Sequence, residues 1–396
     1  MSKRRIDRCT ISGTKILFTG GRWIPTLDLA RRFHEKGHTV YTADSVPYHV
    51  CRFSGAVRNN FLVPSSRFDP EGFITRLLQI VEEKKIDMII PTFEEIFCFS
   101  QNHDRFPDYC TLFSASFTSL KHLHNKWLFN SKLHEMGIKA PESYLVRNAK
   151  ELREVPLALP YILKPCYSRA AAKVLKVVDR ERLRSVPVDP LNPLVAQEWV
   201  EGKKFCSYSI VQRGQLTAHA TYALEFAIDD SSCLNFSAID HKGVERWVTR
   251  FAGCEKLTGQ LGFDFIEAKD GNLYAIECNP RATSGVHLFQ RDDNLPSAFL
   301  DTLPSPIRPQ FGFAKQIAAG MLMYGWRGAG KKKQCRQFVS RLLRAQDVVF
   351  SKTDPIPFCM QPFLFITYLM RSLKLRLPIP AMFTFDIDWN DEQALL

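Results

Sequence analysis

The stretch GFDFIEAKDGNLYAIECNPR, from Gly262 to Arg281, indicates a β-hairpin that carries acidic side chains. Two apolar runs flank the turn Lys269-Asp270-Gly271-Asn272, and a short turn of this composition is typical of antiparallel strands. Asp264 lies on the first strand and Glu277 on the second. Asn279 lies two residues beyond Glu277, so both side chains are predicted to point to one face of the hairpin. Together they offer the hard oxygen ligands that suit Mg²⁺ bridged to phosphate groups.

Taken alone, these acids are equally well explained as solvated strand residues. Glu277 argues against that interpretation, because apolar residues precede it and Cys278 follows it. A carboxylate without partners is costly in such a stretch. Arg281, four residues further on, supplies a cation that could hold a carboxylate or a transferring phosphoryl group.

Two lysines upstream lie on predicted regular elements. Lys126 follows Asn125 inside a helical stretch predicted over Ser119–Gly137, and Lys164 ends the apolar strand Tyr161–Pro165. Lysines at strand ends usually extend to water. Here a turn of small and polar residues, Cys166–Ala172, follows Lys164. Small side chains allow backbone N–H groups to approach phosphate oxygens.

The segment VAQEWVEGKKF, from Val195 to Phe205, is an apolar strand that breaks at Gly202. Its exposed backbone could read the edge of an adenine ring, with Trp199 and Val200 as apolar walls. In isolation, a strand that ends in a glycine turn is the simpler interpretation.

The first hundred residues have a different pattern. From Lys15 to about Ala115, short β-rich runs alternate with amphipathic helical stretches. Such alternation predicts parallel βαβ units and an open α/β domain. A Gly20-Gly21 turn follows the first strand and Asp44 closes the second, as in dinucleotide-binding domains, but the third glycine of the G-x-G-x-x-G fingerprint is missing. A nicotinamide or flavin site is therefore disfavoured.

Composition and charge further restrict the class of protein. The 396 residues carry a formal net charge of +12, and 45% are hydrophobic, which excludes wholesale disorder and favours anionic partners. The 11 cysteines show no zinc-site spacing, so reduced thiols and a cytoplasmic location are expected. The apolar run Phe358–Met370 is shorter than the roughly 20 residues of a membrane-spanning helix. It is predicted to be buried or covered by a partner, with contact at a membrane surface as the lesser alternative.

In order and spacing, these motifs resemble the ATP-grasp superfamily, with the large chain of carbamoyl-phosphate synthase and D-alanine–D-alanine ligase as similar proteins. The resemblance covers about residues 14 to 290. It implies a fold of α/β plus α+β class, in which an open parallel, Rossmann-like α/β domain precedes a two-lobed ATP-grasp domain. The expected limits are 14–118 for the first domain and 119–300 for the second, with lobes at 119–201 and 202–300. Residues 301–396 are then a C-terminal extension of unknown role.

The resemblance also implies roles for individual positions. Two lysines hold the α- and β-phosphates, a lid over Ser168–Ala172 covers them, and a hinge binds adenine through its backbone between two isoleucines. Asp264, Glu277 and Asn279 match the Mg²⁺ ligands, while Arg281, with Lys164, matches the cations near the reacting groups. The positions implied for ATP are Lys126, Ile162, Lys164, Ser168, Arg169, Ala170, Glu198, Trp199, Val200, Glu201 and Ile276.

Three positions depart from the family pattern. The lid is rich in alanine and contains Arg169, where glycine is usual. Lys204 stands where a ribose-binding glutamate is frequent, so either Glu201 substitutes for it or the ribose contact is lost. Asn125 replaces a frequent aspartate. These departures leave open a nucleotide-binding module that has lost catalysis.

The function implied is an ATP- and Mg²⁺-dependent carboxylate–amine ligase that works through an acyl phosphate. Its partners would be small-molecule carboxylates and amines, with no nucleic acid and no transmembrane segment, and a homodimer stays open. A basic nucleic-acid or membrane binder is the third class, suggested by the net charge and by Lys331–Lys333. A solvated charge cluster is the simpler explanation of those three lysines.

Overall fold

Three β-sheets organise the part of the chain that the structure, a computed structural model, describes. The described residues are 13–168, 174–223, 226–228, 232–324, 338–340 and 342–391. The strands are β1 (Lys15–Thr19), β2 (Thr39–Asp44), β3 (Asn59–Leu62), β4 (Met88–Ile90), β5 (Thr111–Leu112), β6 (Ser143–Val146), β7 (Tyr161–Pro165), β8 (Leu175–Val177), β9 (Leu194–Glu198), β10 (Gly202–Gln212), β11 (Gln215–Ala223), β12 (Phe226–Ile228), β13 (Ser232–Ile239), β14 (Gly259–Ala268), β15 (Leu273–Asn279), β16 (Ala314–Gln316) and β17 (Gln346–Asp347).

The α-helices are packed between and beside these sheets. They are α1 (Ile24–Glu35), α2 (Pro70–Lys84), α3 (Ile96–Gln101), α4 (Phe117–His124), α5 (Lys126–Glu135), α6 (Ala149–Arg153), α7 (Lys242–Glu255), α8 (Ser297–Leu300), α9 (Ala318–Tyr324), α10 (Ile356–Cys359) and α11 (Gln361–Leu375).

The first sheet has the strand order β3-β2-β1-β4-β5, and all its neighbouring strands are parallel. The central strands are largely buried, as expected for a parallel sheet that helices cover on both faces. Ile16, Leu17 and Phe18 of β1 have no solvent exposure. This sheet confirms the open parallel α/β arrangement predicted for the first hundred residues.

The second and third sheets are antiparallel and form the two lobes that face each other. The smaller has the order β6-β9-β7-β8, and the larger runs β15-β14-β10-β11-β13-β16-β17, with β12 paired to β13 and a parallel β16-β17 pair at its edge. In chain order, β9 leads through residues 199–201 directly into β10. The segment predicted to be a hinge therefore connects the two sheets.

The helical stretch expected over Ser119–Gly137 is two helices, so the expectation of one helix is wrong. α4 ends at His124 and α5 begins at Lys126. Asn125 separates them, because its Oδ1 accepts hydrogen bonds from the backbone N–H groups of Trp127 and Leu128 at 3.0 and 3.1 Å. An asparagine at this position satisfies helix N–H groups that would otherwise lack a partner. Lys126 consequently lies in the first turn of α5.

The C-terminal segment folds back onto the first sheet. Arg22, in the loop after β1, donates to Asp44 at the end of β2 and to Asp386 at 2.6 Å. Trp389 stacks on Phe97 of α3 with ring centroids 4.1 Å apart and an interplanar angle of 7°. Asp44, the residue that stands where a ribose-binding acid occurs, is thus engaged by a buried arginine. The triple lysine at 331–333 lies outside the described residues.

The apolar run Phe358–Met370 forms parts of α10 and α11, and the prediction that it is buried is wrong for one face. Leu364 and Tyr368 are buried, whereas Phe365, Ile366 and Met370 are exposed. Cover by a partner stays a prediction. Within the described residues, the structure contains no helix long and apolar enough to cross a membrane.

Candidate active site

Two carboxylates meet across the hairpin of β14 and β15. Asp264 lies directly opposite Glu277 in the strand register. Cys206, on the neighbouring strand β10, donates its thiol to Asp264 Oδ1 at 3.0 Å. Burial, followed by the charge of Glu277, raises the pKa of Asp264 to about 6. Two close acids in a desolvated place favour a proton or a cation between them.

Lys164 approaches this hairpin from the other sheet. It lies on β7, and its Nζ donates to Gln197 Oε1 at 2.9 Å and to the backbone oxygen of Ile276 at 3.0 Å. The side chain is only 5% exposed. Burial lowers the pKa of Lys164 to about 8, and the nearby positive charge of Lys126 contributes to the lowering, although Glu277 opposes it. A buried ammonium of this kind is stabilised by an additional anion.

Lys126 completes the group from the first turn of α5. Its Nζ lies 3.4 Å from Glu277 Oε1 and donates to the backbone oxygen of Ser168 at 2.9 Å. The residue is 3% exposed. The two lysines and two acids predicted from sequence therefore converge from α5, β7 and the hairpin. Their roles toward a nucleotide remain predictions.

Arg281 and Asn279 lie at the far end of the hairpin. Arg281 donates to Asn279 Oδ1 at 3.2 Å, and its guanidinium lies 4.3 Å from the ring centroid of Phe93. Its Nε is 3.7 Å from Glu94 Oε1. Since Phe93 and Glu94 follow β4, the end of the hairpin faces the carboxyl edge of the first sheet. A substrate held there would contact both domains.

The residues predicted to hold adenine lie where the two antiparallel sheets are joined. Ile162 on β7 and Ile276 on β15 are both partly exposed, and the Lys164 contact with the Ile276 backbone shows that these strands are adjacent. Glu198 is exposed at the end of β9, and Trp199 and Val200 are half-buried in the connection to β10. The Lys176 ammonium lies 3.6 Å from the ring centroid of Trp199.

The structure shows where the residues at the ribose position and in part of the lid lie. Lys204 is exposed on β10, opposite Ile266. Glu201, the suggested substitute, is exposed and forms an ion pair with Lys269 at 3.3 Å. Of the lid, Ser168 is described, while Arg169 and Ala170 lie outside the described residues.

Sequence reasoning missed two buried polar residues beside this group. Gln197 holds the Lys164 ammonium, and it belongs to the same VAQEWV run that predicted the hinge. Its position one residue before Glu198 on an otherwise apolar strand was the available signal. Glu94 accepts a hydrogen bond from the backbone N–H of Trp389 at 3.0 Å as well as lying near Arg281. The pair Glu94-Glu95, in the loop after an apolar parallel strand, was its signal.

Among the described residues, no cluster of three or more His, Cys, Asp or Glu side chains is arranged to hold a metal ion. The candidate metal ligands are two carboxylates and one carboxamide, Asp264, Glu277 and Asn279. An Mg²⁺ ion bound with nucleotide phosphates needs only one or two protein carboxylates. The donor set therefore fits a phosphate-bridged ion better than a metal held by protein alone.

Comparison with known proteins agrees with this geometry. Residues 123–285 match the model of a family described as the ATP-grasp domain. An N5-carboxyaminoimidazole synthetase from Staphylococcus aureus superimposes with a TM-score of 0.59 at 14% identity, covering 76% of this chain and 81% of that one. An L-amino acid ligase from Bacillus licheniformis gives 0.58 at 17% identity, covering 76% and 78%.

A third solved structure has a similar fold. The biotin carboxylase domain of the 2-oxoglutarate carboxylase from Hydrogenobacter thermophilus gives a TM-score of 0.60 at 12% identity, covering 76% of this chain and 74% of that one. At these identities the likeness concerns the fold. Together with the family match, it shows that the chain carries an ATP-grasp domain preceded by a parallel α/β domain.

Proposed function

We propose that this protein is an ATP- and Mg²⁺-dependent carboxylate–amine ligase that forms a C–N bond through an acyl phosphate. The observation that carries the proposal is the convergence of Lys126, Lys164, Asp264 and Glu277 from three separate elements. Solved neighbours include synthases crystallised with ADP and with ATP. We further propose the domain limits 14–118 and 119–300, with 301–396 as an extension.

The charges of the site fit a nucleotide that carries a divalent ion. Lys164 is buried with its pKa lowered to about 8, so an anionic phosphate would stabilise its charged form. Asp264 is half-buried opposite Glu277 with its pKa raised to about 6, so a cation would offset the repulsion of the two acids. A site with both features binds an anion and a cation side by side.

Each group of residues would then have a separate role in binding or catalysis. Lys126 and Lys164 bind phosphate oxygens, and the hinge at Glu198–Glu201 with Ile162 and Ile276 holds the base. Mg²⁺, when bound to Asp264, Glu277 and Asn279, would neutralise phosphate charge during phosphoryl transfer. Arg281 orients the carboxylate that accepts the phosphoryl group, because its guanidinium already lies between the hairpin and the first sheet.

The two domains together would supply the binding place for the second substrate. An amine that attacks the acyl phosphate must reach the end of the hairpin, where Glu94 faces Arg281. The buried Glu94 carboxylate at this point would attract an ammonium group. We propose small-molecule carboxylates and amines as the substrate classes.

The test is phosphate release from ATP with Mg²⁺ across a panel of amino acids and small carboxylates, each with and without an amine. We expect release to require a carboxylate, and Glu277→Gln to lower it by about a hundredfold or more, because charge stabilisation at the phosphates is lost. Glu267→Gln is the matched control, since Glu267 lies on the same hairpin but pairs with His241 at 3.4 Å. Undiminished release by Glu277→Gln would contradict the proposal.

A catalytically impaired nucleotide-binding module is the second candidate. It is favoured by Lys204, an exposed cation at the position of the frequent ribose-binding glutamate. Binding of ATP to the wild-type chain, with no phosphate release across the whole panel, would support this candidate over the ligase.

A further inference from the structure

The outward face of α11 is more apolar than its inward face. Ile366, Met370 and Leu373 recur at helical spacing and are 57%, 64% and 66% exposed. The inward stripe contains Leu364, Tyr368 and Ser372, and the Ser372 hydroxyl donates to the backbone oxygen of Leu377. A surface helix of a globular domain normally turns its polar side to water. This helix is apolar on its outward side as well as against the core.

The exposed apolar surface continues beyond the helix. Phe358 of α10 packs edge-on against Phe350 at 5.3 Å, and Phe363 packs edge-on against Tyr48 at 5.2 Å. We define the apolar face as Phe358, Phe363, Phe365, Ile366, Met370 and Leu373, each at least 38% exposed. Contiguous exposed apolar side chains of this kind mark interaction sites.

Cations stand at both ends of the apolar face, and acids are absent from its sequence. From Pro355 to Phe385 the chain has no Asp or Glu. Lys374 and Arg376 are exposed at the C-terminal end of α11. At the other end, the Arg52 guanidinium lies 5.7 Å from the ring centroid of Tyr48, which itself contacts Phe363.

We propose that the apolar face binds the surface of a membrane that contains anionic lipid, with α11 lying in the plane of the interface. The apolar side chains would enter the acyl region, while Arg52, Lys374 and Arg376 would contact lipid phosphates. With 15 residues, α11 is about 22 Å long, shorter than a spanning helix. It therefore lies on the bilayer.

Charge argues against a second copy of the chain as the occupant. A two-fold interface places the same patch on both partners. Pairing two apolar faces would bring Lys374 and Arg376 against a surface whose own segment, from Pro355 to Phe385, contains no acid to receive them. Anionic headgroups supply the missing negative charge.

The experiment is cosedimentation of the full chain with two kinds of vesicle. One contains phosphatidylcholine alone, and in the other about one lipid in three is phosphatidylglycerol. The double variant Ile366→Glu/Leu373→Glu should lower binding at least about tenfold, because carboxylates oppose insertion and meet anionic lipid. Lys374→Gln and Arg376→Gln should each lower it about fivefold. Leu191→Glu is the matched control, since Leu191 is 61% exposed on the loop before β9.

Each outcome decides the proposal. Binding that requires phosphatidylglycerol, survives Leu191→Glu and is lost in the double variant supports it. Absence of binding by the wild-type chain, equal binding to phosphatidylcholine alone, or undiminished binding by the double variant overturns it. Sedimentation velocity provides the last test: a wild-type dimer that binds no vesicles and becomes monomeric in the double variant would assign the face to self-association. All substituted side chains are exposed, so thermal unfolding should stay unchanged.

Discussion

Replacing Asp386 by asparagine should release the C-terminal segment from the first sheet. The Arg22 guanidinium is fully buried between Asp44 and Asp386, and Arg371 approaches Asp386 from α11 at 3.1 Å. These four groups sum to zero net charge. Asp386→Asn keeps the shape of the side chain but leaves the group with a net charge of +1, because Asp44 alone then faces the buried Arg22 and the partly exposed Arg371.

The substitution should lower the free energy that holds the C-terminal segment on the first sheet by about 3 kcal/mol. This value is the low end of the range for breaking a buried ion pair, because Arg22 keeps Asp44. The loss should also depend on pH. The charge of Arg22 holds the pKa of Asp386 well below its ordinary value of 3.8, even though burial acts in the opposite direction. A carboxyl group with a lowered pKa in the folded state stabilises the protein above its unfolded pKa and loses that contribution on acidification. The difference between variant and wild type should therefore be constant from pH 5 to 8 and shrink below about pH 4.

Hydrogen exchange measured by mass spectrometry is the suitable assay, because a chain with three sheets need not unfold in one step. A loss of about 3 kcal/mol corresponds to roughly hundredfold faster exchange in peptides covering residues 384–391. Asp240→Asn is the control, since its pair with Lys242 is exposed and should contribute less than about 1 kcal/mol. Equal exchange rates in the two variants would refute the conclusion that the ion pair of Arg22 and Asp386 holds this segment in place.

Two further predictions concern Lys164 in the candidate active site and Trp389 in the C-terminal segment. ATP should bind about tenfold more weakly at pH 9 than at pH 7, because Lys164, with its pKa lowered to about 8, loses its proton in that interval. Isothermal titration should show a flatter profile for Lys164→Arg, and identical profiles would contradict the role of Lys164. Trp389→Ala should lower the free energy that holds the C-terminal segment in place by about 3 kcal/mol, because the indole is buried against Phe97. Limited proteolysis should then cut the tail faster, with Trp389→Phe nearly unaffected, and equal rates for all three proteins would count against this packing.

The architecture was predictable where local patterns carry the information. Alternating strands and helices over the first hundred residues predict a parallel sheet, because a parallel return needs a long crossover. The hairpin of Asp264 and Glu277 was predictable because its turn and its alternation lie within twenty residues. The division of α4 from α5 was not predicted, since Asn125 interrupts an apolar periodicity that continues on both sides.

The candidate site was predictable only in part. Lys126, Lys164 and the hairpin acids belong to motifs whose order along the chain is informative. Glu94 and Trp389 meet across 295 positions, and one sequence contains no pattern that pairs them. The apolar run Phe358–Met370 was recognised, with burial, cover by a partner and membrane contact as its alternatives. The sequence could not choose among them, because helical periodicity reports which residues share a face and not whether that face is covered.

The ion pair between Arg22 and Asp386 joins positions 364 residues apart. A ribosome makes the arginine long before the aspartate, so the first domain cannot form this contact until synthesis has passed Asp386. A nascent chain stalled before Asp386 would present a first domain that lacks one of its buried ion pairs to chaperones and proteases. Final folding of the beginning of the chain is thus coupled to synthesis of a segment far downstream.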